Sequence, residues 1–297
     1  LQTGTGRLHG SNHKGAIMPV INDNIAAMIA ANALNNSTNT MQTTLQRLST
    51  GSRINQDSDD PGELGESQQM QSQVLGIQTA CQNIQDGVSL MNIASGCLSQ
   101  VGDILQRIRE LAVEASNDTM TSQDRVYTQT ETNQLESEIN SLTAGTHYNG
   151  ELLLAGTPPW GSGSGGTLHV GPNDTASGDL IQFLIPAVNT TSLGMSGMAL
   201  TSQTDATSAL NSLDSALNSV NELQANMGSI INRLDYALNN QQNQQTNMQA
   251  AESVITDTDF ASESTEYSTN QIMIQSSTAM LAQANSLPQN ILNLLKS

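Results

Sequence analysis

DGVSLMNIASGCLSQVGDILQRIRELAVEASN, from Asp86 to Asn117, carries its apolar residues on one strict spacing. Met91, Ala94, Leu98, Val101, Leu105, Ile108, Ala112 and Ala115 alternate by three and four positions. A sustained period of about 3.5 marks an α-helix lying along other helices. Leu90, Ile93, Cys97, Ile104 and Leu111 widen that seam into a stripe. One partner helix cannot cover such a stripe, so the spacing predicts a bundle. At about 1.5 Å per residue the segment forms a rod of roughly 48 Å.

The flanking sequence supplies partners. Upstream, Glu66 to Ile84 reads as a polar helix, with a break expected near Asp86-Gly87. Downstream, Asn117-Asp118 makes a turn, and a helix from Ser122 to Leu142 keeps Thr128, Thr132, Leu135, Ile139 and Leu142 on its seam. From Ala206 the period returns through Leu210, Leu213, Leu217, Val220, Gln224, Met227, Ile231, Leu234 and Leu238, broken only by Gln224. That segment is a natural antiparallel mate for the opening stretch. Leu98, Val101, Leu105, Ile108, Leu217, Val220, Ile231 and Leu234 are the expected rod core.

Two further amphipathic helices stand at the ends. Ile21, Ile25, Met28, Leu34, Met41, Leu45 and Leu48 line the first, which Thr50-Gly51-Ser52 stops. Met273, Ser277, Met280, Ala284, Leu287, Ile291 and Leu294 line the last. The turn formers Asp57-Ser58-Asp59-Asp60-Pro61-Gly62 and Asp257 to Asp259 mark joints between these ends and the middle of the chain. At mid-sequence Asn149-Gly150 is a hairpin signal, a Gly/Ser run spans Gly161 to Gly166, and Leu168 to Val170 and Leu180 to Ile185 read as short strands.

The expected fold class is therefore mainly α, an elongated antiparallel helical bundle and coiled coil with a small β-hairpin region at mid-sequence. The domain reading is residues 1–17 as a leader or vector-derived extension, 18–56 as an N-terminal coiled-coil helix and 57–143 as rod helices. Residues 144–200 form a β-hairpin cap, 201–252 a returning rod helix and 253–297 a C-terminal coiled-coil helix.

Composition narrows the function. Only 2% of the 297 residues are aromatic and 12% charged, a balance suited to long thin bundles rather than a compact globule. A net charge of −18 with nine Lys and Arg argues against phosphate-backbone binding, which needs clustered cations, so no nucleic-acid partner is expected. No apolar run reaches the eighteen or so residues of a membrane span. Cys81 and Cys97 lie roughly 24 Å apart by helical rise and cannot bridge each other.

No enzyme constellation is present, and no metal or cofactor is expected. His9, His13, His147 and His169 are scattered without a metal-ligand spacing. The Gly/Ser run lacks the following Lys-Ser/Thr of a phosphate cradle. Asp57, Asp59 and Asp60 read as a solvated turn before they read as a cation site, and Trp160 as an anchoring residue before a sugar-stacking one.

Several stretches resemble bacterial flagellin. From Met18 to Asn55 the sequence is similar to the flagellin amino-terminal signature, most recognisably at Leu45-Gln46-Arg47-Leu48-Ser49-Thr50-Gly51. Ile108-Arg109-Glu110-Leu111-Ala112 resembles a second signature, and Gln283-Ala284-Asn285 with Pro288-Gln289-Asn290 the carboxy-terminal one. The resemblance implies a short flagellin without outer hypervariable domains. Where relatives carry Asp-Asp-Ala-Ala-Gly-Leu, this chain has Asp59-Asp60-Pro61-Gly62-Glu63-Leu64, which sets a helix-breaking proline in the spoke between core and rod.

What the resemblance implies for function is a structural subunit that polymerises into the flagellar filament for motility through its terminal helices. Ile25, Met28, Leu45, Leu48, Met280, Leu287, Ile291 and Leu294 would carry the assembly. Implied partners are further copies of the chain, an export chaperone with the type III export apparatus, and filament-cap and hook-junction proteins. The implied location is extracellular, in the flagellum, reached without a cleaved signal peptide. Similar flagellins are recognised by the innate receptor TLR5, and the resemblance carries that role to Arg107, Leu111 and Glu131. Arg109 and Glu110 complete the candidate receptor or subunit interface, while the residue-level alternative makes Leu111 core. Rival readings are a hook-filament junction protein and a surface-displayed homologue that binds a polysaccharide or receptor.

Overall fold

The computed structural model describes residues 23–156, 160–161, 165–173 and 178–296, the side chains of 287–296 excepted. The expectations for residues 1–17 and for the side chains of Leu287, Ile291 and Leu294 lie outside the described residues. The chain divides into two compact units, one of Glu66–Glu252 and one joining Leu1–Gly65 to Ser253–Ser297.

Helix α2 (Pro61–Ala115) dominates the larger unit, with α3 (Ser122–Gly145) and α4 (Gln203–Thr256). Met91, Ala94, Leu98, Val101, Leu105, Ile108, Ala112 and Ala115 are all buried in one core. From α4 that core takes Leu213, Ala216, Val220 and Met227, with Leu217 and Ile231 half-buried against it. Leu234 is buried in a second cluster with Ile84, Val170 and Ile181. On α3, Thr128, Thr132 and Ile139 are buried. Of the residues expected to widen the α2 seam, Leu90 and Leu111 are buried, but Ile93 is 43% exposed and lies off the stripe.

The break expected near Asp86-Gly87 is absent, and α2 runs through it. Gly87 is buried beneath Leu168, whose methyl groups occupy the space a side chain would take. A mid-helix glycine costs about 1 kcal/mol relative to alanine, and the close approach of a strand offsets that cost. Asn83, one turn earlier, donates from Nδ2 to the carbonyl of His169 at 3.2 Å.

The proline of the spoke does not break a helix either, because Pro61 is the first residue of α2. At that position its missing N–H would have no intrahelical partner and its φ is preset for helix. The Asp60 carboxylate caps the turn, accepting from the backbone N–H groups of Gly62 at 3.0 Å and Glu63 at 3.1 Å. Helix α3 begins with a capping box between Thr121 and Asp124.

Two small antiparallel sheets follow α3. Strands β1 (His147–Tyr148) and β2 (Glu151–Leu152) pair around Asn149 and Gly150. Both turn residues have positive φ, 51° and 85°, as a tight two-residue hairpin of matching twist requires. Strands β3 (Gly166–His169) and β4 (Leu180–Phe183) pair Gly166 with Phe183 and His169 with Leu180. Trp160 stacks on Phe183 with ring centroids 5.7 Å apart.

The smaller unit is built on α1 (Ile25–Thr50) and α5 (Phe260–Lys296), packed along each other. The Asn24 side chain caps α1 by accepting from Ala27 N–H, and Gly51, at φ 75°, ends it. The pair is antiparallel and in one register. Asn24 meets Ala284, Arg47 meets Glu263, Gly51 meets Thr258 and Arg53 meets Thr256. The residue numbers of these pairs add to 308, 310, 309 and 309 in turn.

Candidate interaction surfaces

Polar groups occupy much of the inner face of the α1–α5 pair. On α5, Glu263, Ser277 and Ala284 are buried and Asn270 half-buried, each seven residues from the next. Between them Tyr267, Ile274 and Leu281 are half-buried. Thr44 is buried on α1, with Leu34, Met41 and Leu48 half-buried. Ile25, Met28 and Leu45 on α1 and Met273 and Met280 on α5, read from sequence as lining residues, are turned outward instead. Ile25, Met28, Ile29, Leu45, Ile272, Met273 and Met280 are 47 to 65% exposed. The physical reason is that α1 and α5 each carry apolar residues on more than one face, and one partner helix buries only one of them.

On the larger unit, Arg107 joins α2 to α3. Its guanidinium donates to Glu131 Oε1 from Nε at 3.2 Å and from Nη2 at 3.0 Å. Nη1 donates to Glu110 Oε2, one turn along α2, at 3.0 Å. The hydrogen bond that Glu110 accepts, and then those that Glu131 accepts, raise the Arg107 pKa. Arg109 leans the other way and donates from Nε to Asp214 Oδ1 of α4 at 2.8 Å.

Arg107, Arg109, Glu110 and Glu131 thus lie exposed, each carboxylate or guanidinium already engaged. Leu111 is 2% exposed and belongs to the core, which removes it from the contact surface as its primary role. Asp214 was not legible, because nothing in sequence ties it to a residue 105 positions away. The Arg47–Glu263 pair was equally hidden, although Glu263 is conspicuous in a helix with so few charges.

The acidic turn does structural work. Asp59 Oδ2 accepts from the backbone N–H groups of Asn55 and Gln56, both at 3.0 Å. Those hydrogen bonds hold its carboxyl below the usual carboxylate range. Arg53 pairs with Glu63 and donates to the carbonyl of Ile255 at 2.8 Å. Trp160 is half-buried, packed against the core and stacked on Phe183, as an anchoring residue is.

Residues 21–158 match the bacterial flagellin N-terminal helical region, and residues 210–295 match the bacterial flagellin C-terminal helical region. The chain belongs to the bacterial flagellin family. Flagellins are structural proteins, which agrees with the non-enzymatic reading. The chain is 38% identical to the flagellar filament 30.7 kDa core protein of Treponema maltophilum, over 93% of this chain and 99% of that one. It is also 38% identical to a flagellin of Halalkalibacterium halodurans, over 93% of this chain and all of that one. A putative flagellar hook-associated protein from Vibrio parahaemolyticus shares the fold, with TM-score 0.54 at 17% identity, over 66% of this chain and 99% of that one. Flagellins as short as this chain therefore exist, and their full length is matched here.

Proposed function

We propose that this flagellin is a filament subunit that polymerises by ordering its terminal helices against those of other copies. The observation that carries the reading is the outer face of the α1–α5 pair, where Ile25, Met28, Ile29, Leu45, Ile272, Met273 and Met280 stand in solvent. Burying what is still exposed of each such side chain is worth on the order of 1 kcal/mol, and further copies lying alongside would gain it. Coupled ordering of this kind lets a terminus stay weakly folded until neighbours cover it. Head-to-tail contacts between unlike surfaces then extend without closing.

A weakly folded terminus also suits passage through a narrow export channel. Export by the type III apparatus with a chaperone on residues 253–297, and a final place in the extracellular flagellum, belong to the same reading. So do end contacts with cap and hook-junction proteins. The exposed Arg107–Glu110–Glu131 cluster is the proposed surface for neighbours or for TLR5.

The test is electron microscopy after salt-induced assembly, on the full chain and on a chain ending at Glu252. Filaments from the full chain and folded monomers from the shortened one support the reading. Filaments of normal length from the shortened chain overturn it. Short rings from the full chain favour a hook-filament junction protein.

A further inference from the structure

We propose that Glu263 and Arg47 form a pairing code that admits one antiparallel α1 partner to α5, in one register, and rejects a second α5. The inference rests on the assembly reading and names what the inner face of α5 selects as its partner.

The starting observation is a burial that stability does not explain. Glu263 is 8% exposed, and its Oε1 lies 3.7 Å from Arg47 Nη1, an ion pair beyond hydrogen-bonding distance. Neither Glu263 Oε1 nor Arg47 Nε has a hydrogen-bond partner. Asn270 Nδ2, seven residues along the same face, is likewise buried without one. The Arg47 side chain is 30% exposed and that of Glu263 11%, and a partly desolvated ion pair of this kind contributes little net stability, where well-packed apolar residues would do better. Attraction to helix dipoles accounts for a glutamate in the first turn of α5 and an arginine in the last turn of α1. It does not account for burying them against each other.

Discrimination does account for it. Arg47 is the sole charged residue of α1, and the acidic residues of α5 are Glu263 and Glu266. Slipping α1 by one heptad in one direction sets Arg47 opposite Asn270 and leaves Glu263 beyond Thr50, past the end of α1. The opposite slip sets Glu263 opposite Thr40. The first slip leaves the Arg47 guanidinium in the interface without its anion, and the second leaves a buried carboxylate without its cation, the costly outcome for such groups. A second α5 in place of α1 offers no cation before Lys296. A buried polar residue that fixes register and partner at some expense in stability is an established device of paired helices. The occupant selected is therefore an α1 segment, of the same chain or of another copy.

Cysteine cross-linking in the full chain tests this, in a Cys81→Ser, Cys97→Ser background. Ser277→Cys is paired either with Ala31→Cys, which the observed register brings opposite it, or with Thr38→Cys, one heptad away on the same face. The parent should favour the first cross-link by about tenfold or more. Arg47→Leu with Glu263→Leu should bring the two products within about twofold, and should yield intermolecular dimers through Ser277→Cys alone. The charge exchange Arg47→Glu with Glu263→Arg should restore the parent preference. A leucine variant as selective as the parent overturns the code, as does a parent that cross-links equally at both positions. The assembly reading is scored separately by filaments in the same samples, so selective cross-links without filaments would sink that reading and leave the code standing.

Discussion

The side-chain amide of Asn24 donates to the backbone carbonyl of Ala284 at 2.8 Å, tying the first turn of α1 to a point 260 residues later. Its carbonyl oxygen meanwhile accepts from Ala27 N–H at 3.1 Å. One amide therefore caps α1 and fixes the far end of the register that Arg47 and Glu263 fix near Gly51. Asn24→Ala removes both contacts and should cost about 1 kcal/mol, the usual value of an N-cap. Amide exchange should accelerate in the first turn of α1 while the larger unit is unaffected.

Ile108→Asp places an unpaired carboxylate in the fully buried seam of α2 and should unfold the larger unit. Leu105→Ala, by comparison, leaves a cavity worth about 2–5 kcal/mol. Circular dichroism and melting check both, and an unchanged melting curve for Ile108→Asp would remove α2 from the centre of the core.

Arg107 and Leu111 separate contact from packing. Arg107→Ala breaks exposed ion pairs, so it should change stability by less than about 1 kcal/mol. If the cluster is a contact surface, the same substitution should weaken TLR5 signalling or filament yield. Leu111→Ala should instead cost about 2–5 kcal/mol, and any loss of signalling should track unfolding. Equal effects on binding from two equally stable variants would contradict this division.

Glu136 and Asp124, both on α3, should respond to acid in opposite directions. Burial raises the Glu136 pKa, and its Oε1 has no partner, so its ionised form opposes folding at neutral pH. That penalty is relieved as pH falls through the raised folded-state value. Glu136→Gln should therefore raise Tm at pH 7, with the advantage shrinking on acidification. The Thr121 hydroxyl and backbone N–H lower the Asp124 pKa. Its contribution is complete above the ordinary carboxylate value and disappears as pH falls through the lowered one. Asp124→Asn should accordingly lower Tm at pH 7 and converge with the parent in acid.

Much of this fold was legible because the stretch of α2 from Met91 to Ala115 turns one regular apolar seam into a single core. Every residue of its three-and-four seam is buried where the spacing put it. Spacing alone failed at both terminal helices: Ile25, Met28 and Leu45 on α1 are exposed, and on α5 Met273 and Met280 fit a heptad as well as Ile274 and Leu281 do. Which apolar face turns inward depends on what lies across from it, and that is a tertiary fact. Gly87 and Pro61 misled for a related reason, since a glycine under Leu168 and a proline at a helix start carry none of their usual meaning. Of the candidate surface, Arg107 and Glu131 were named through the resemblance, whereas the Arg107–Glu110, Arg109–Asp214 and Arg47–Glu263 pairs needed the fold.

The outward-turned residues of the α1–α5 pair have a thermodynamic consequence. A unit whose apolar face is completed by other copies has no melting temperature of its own, since each neighbour bound shifts its unfolding by mass action. Melting of the smaller unit should rise with subunit concentration, while melting of the larger unit, whose core is closed within one chain, should not. Dilution is then a denaturant for one part of this molecule and not for the other.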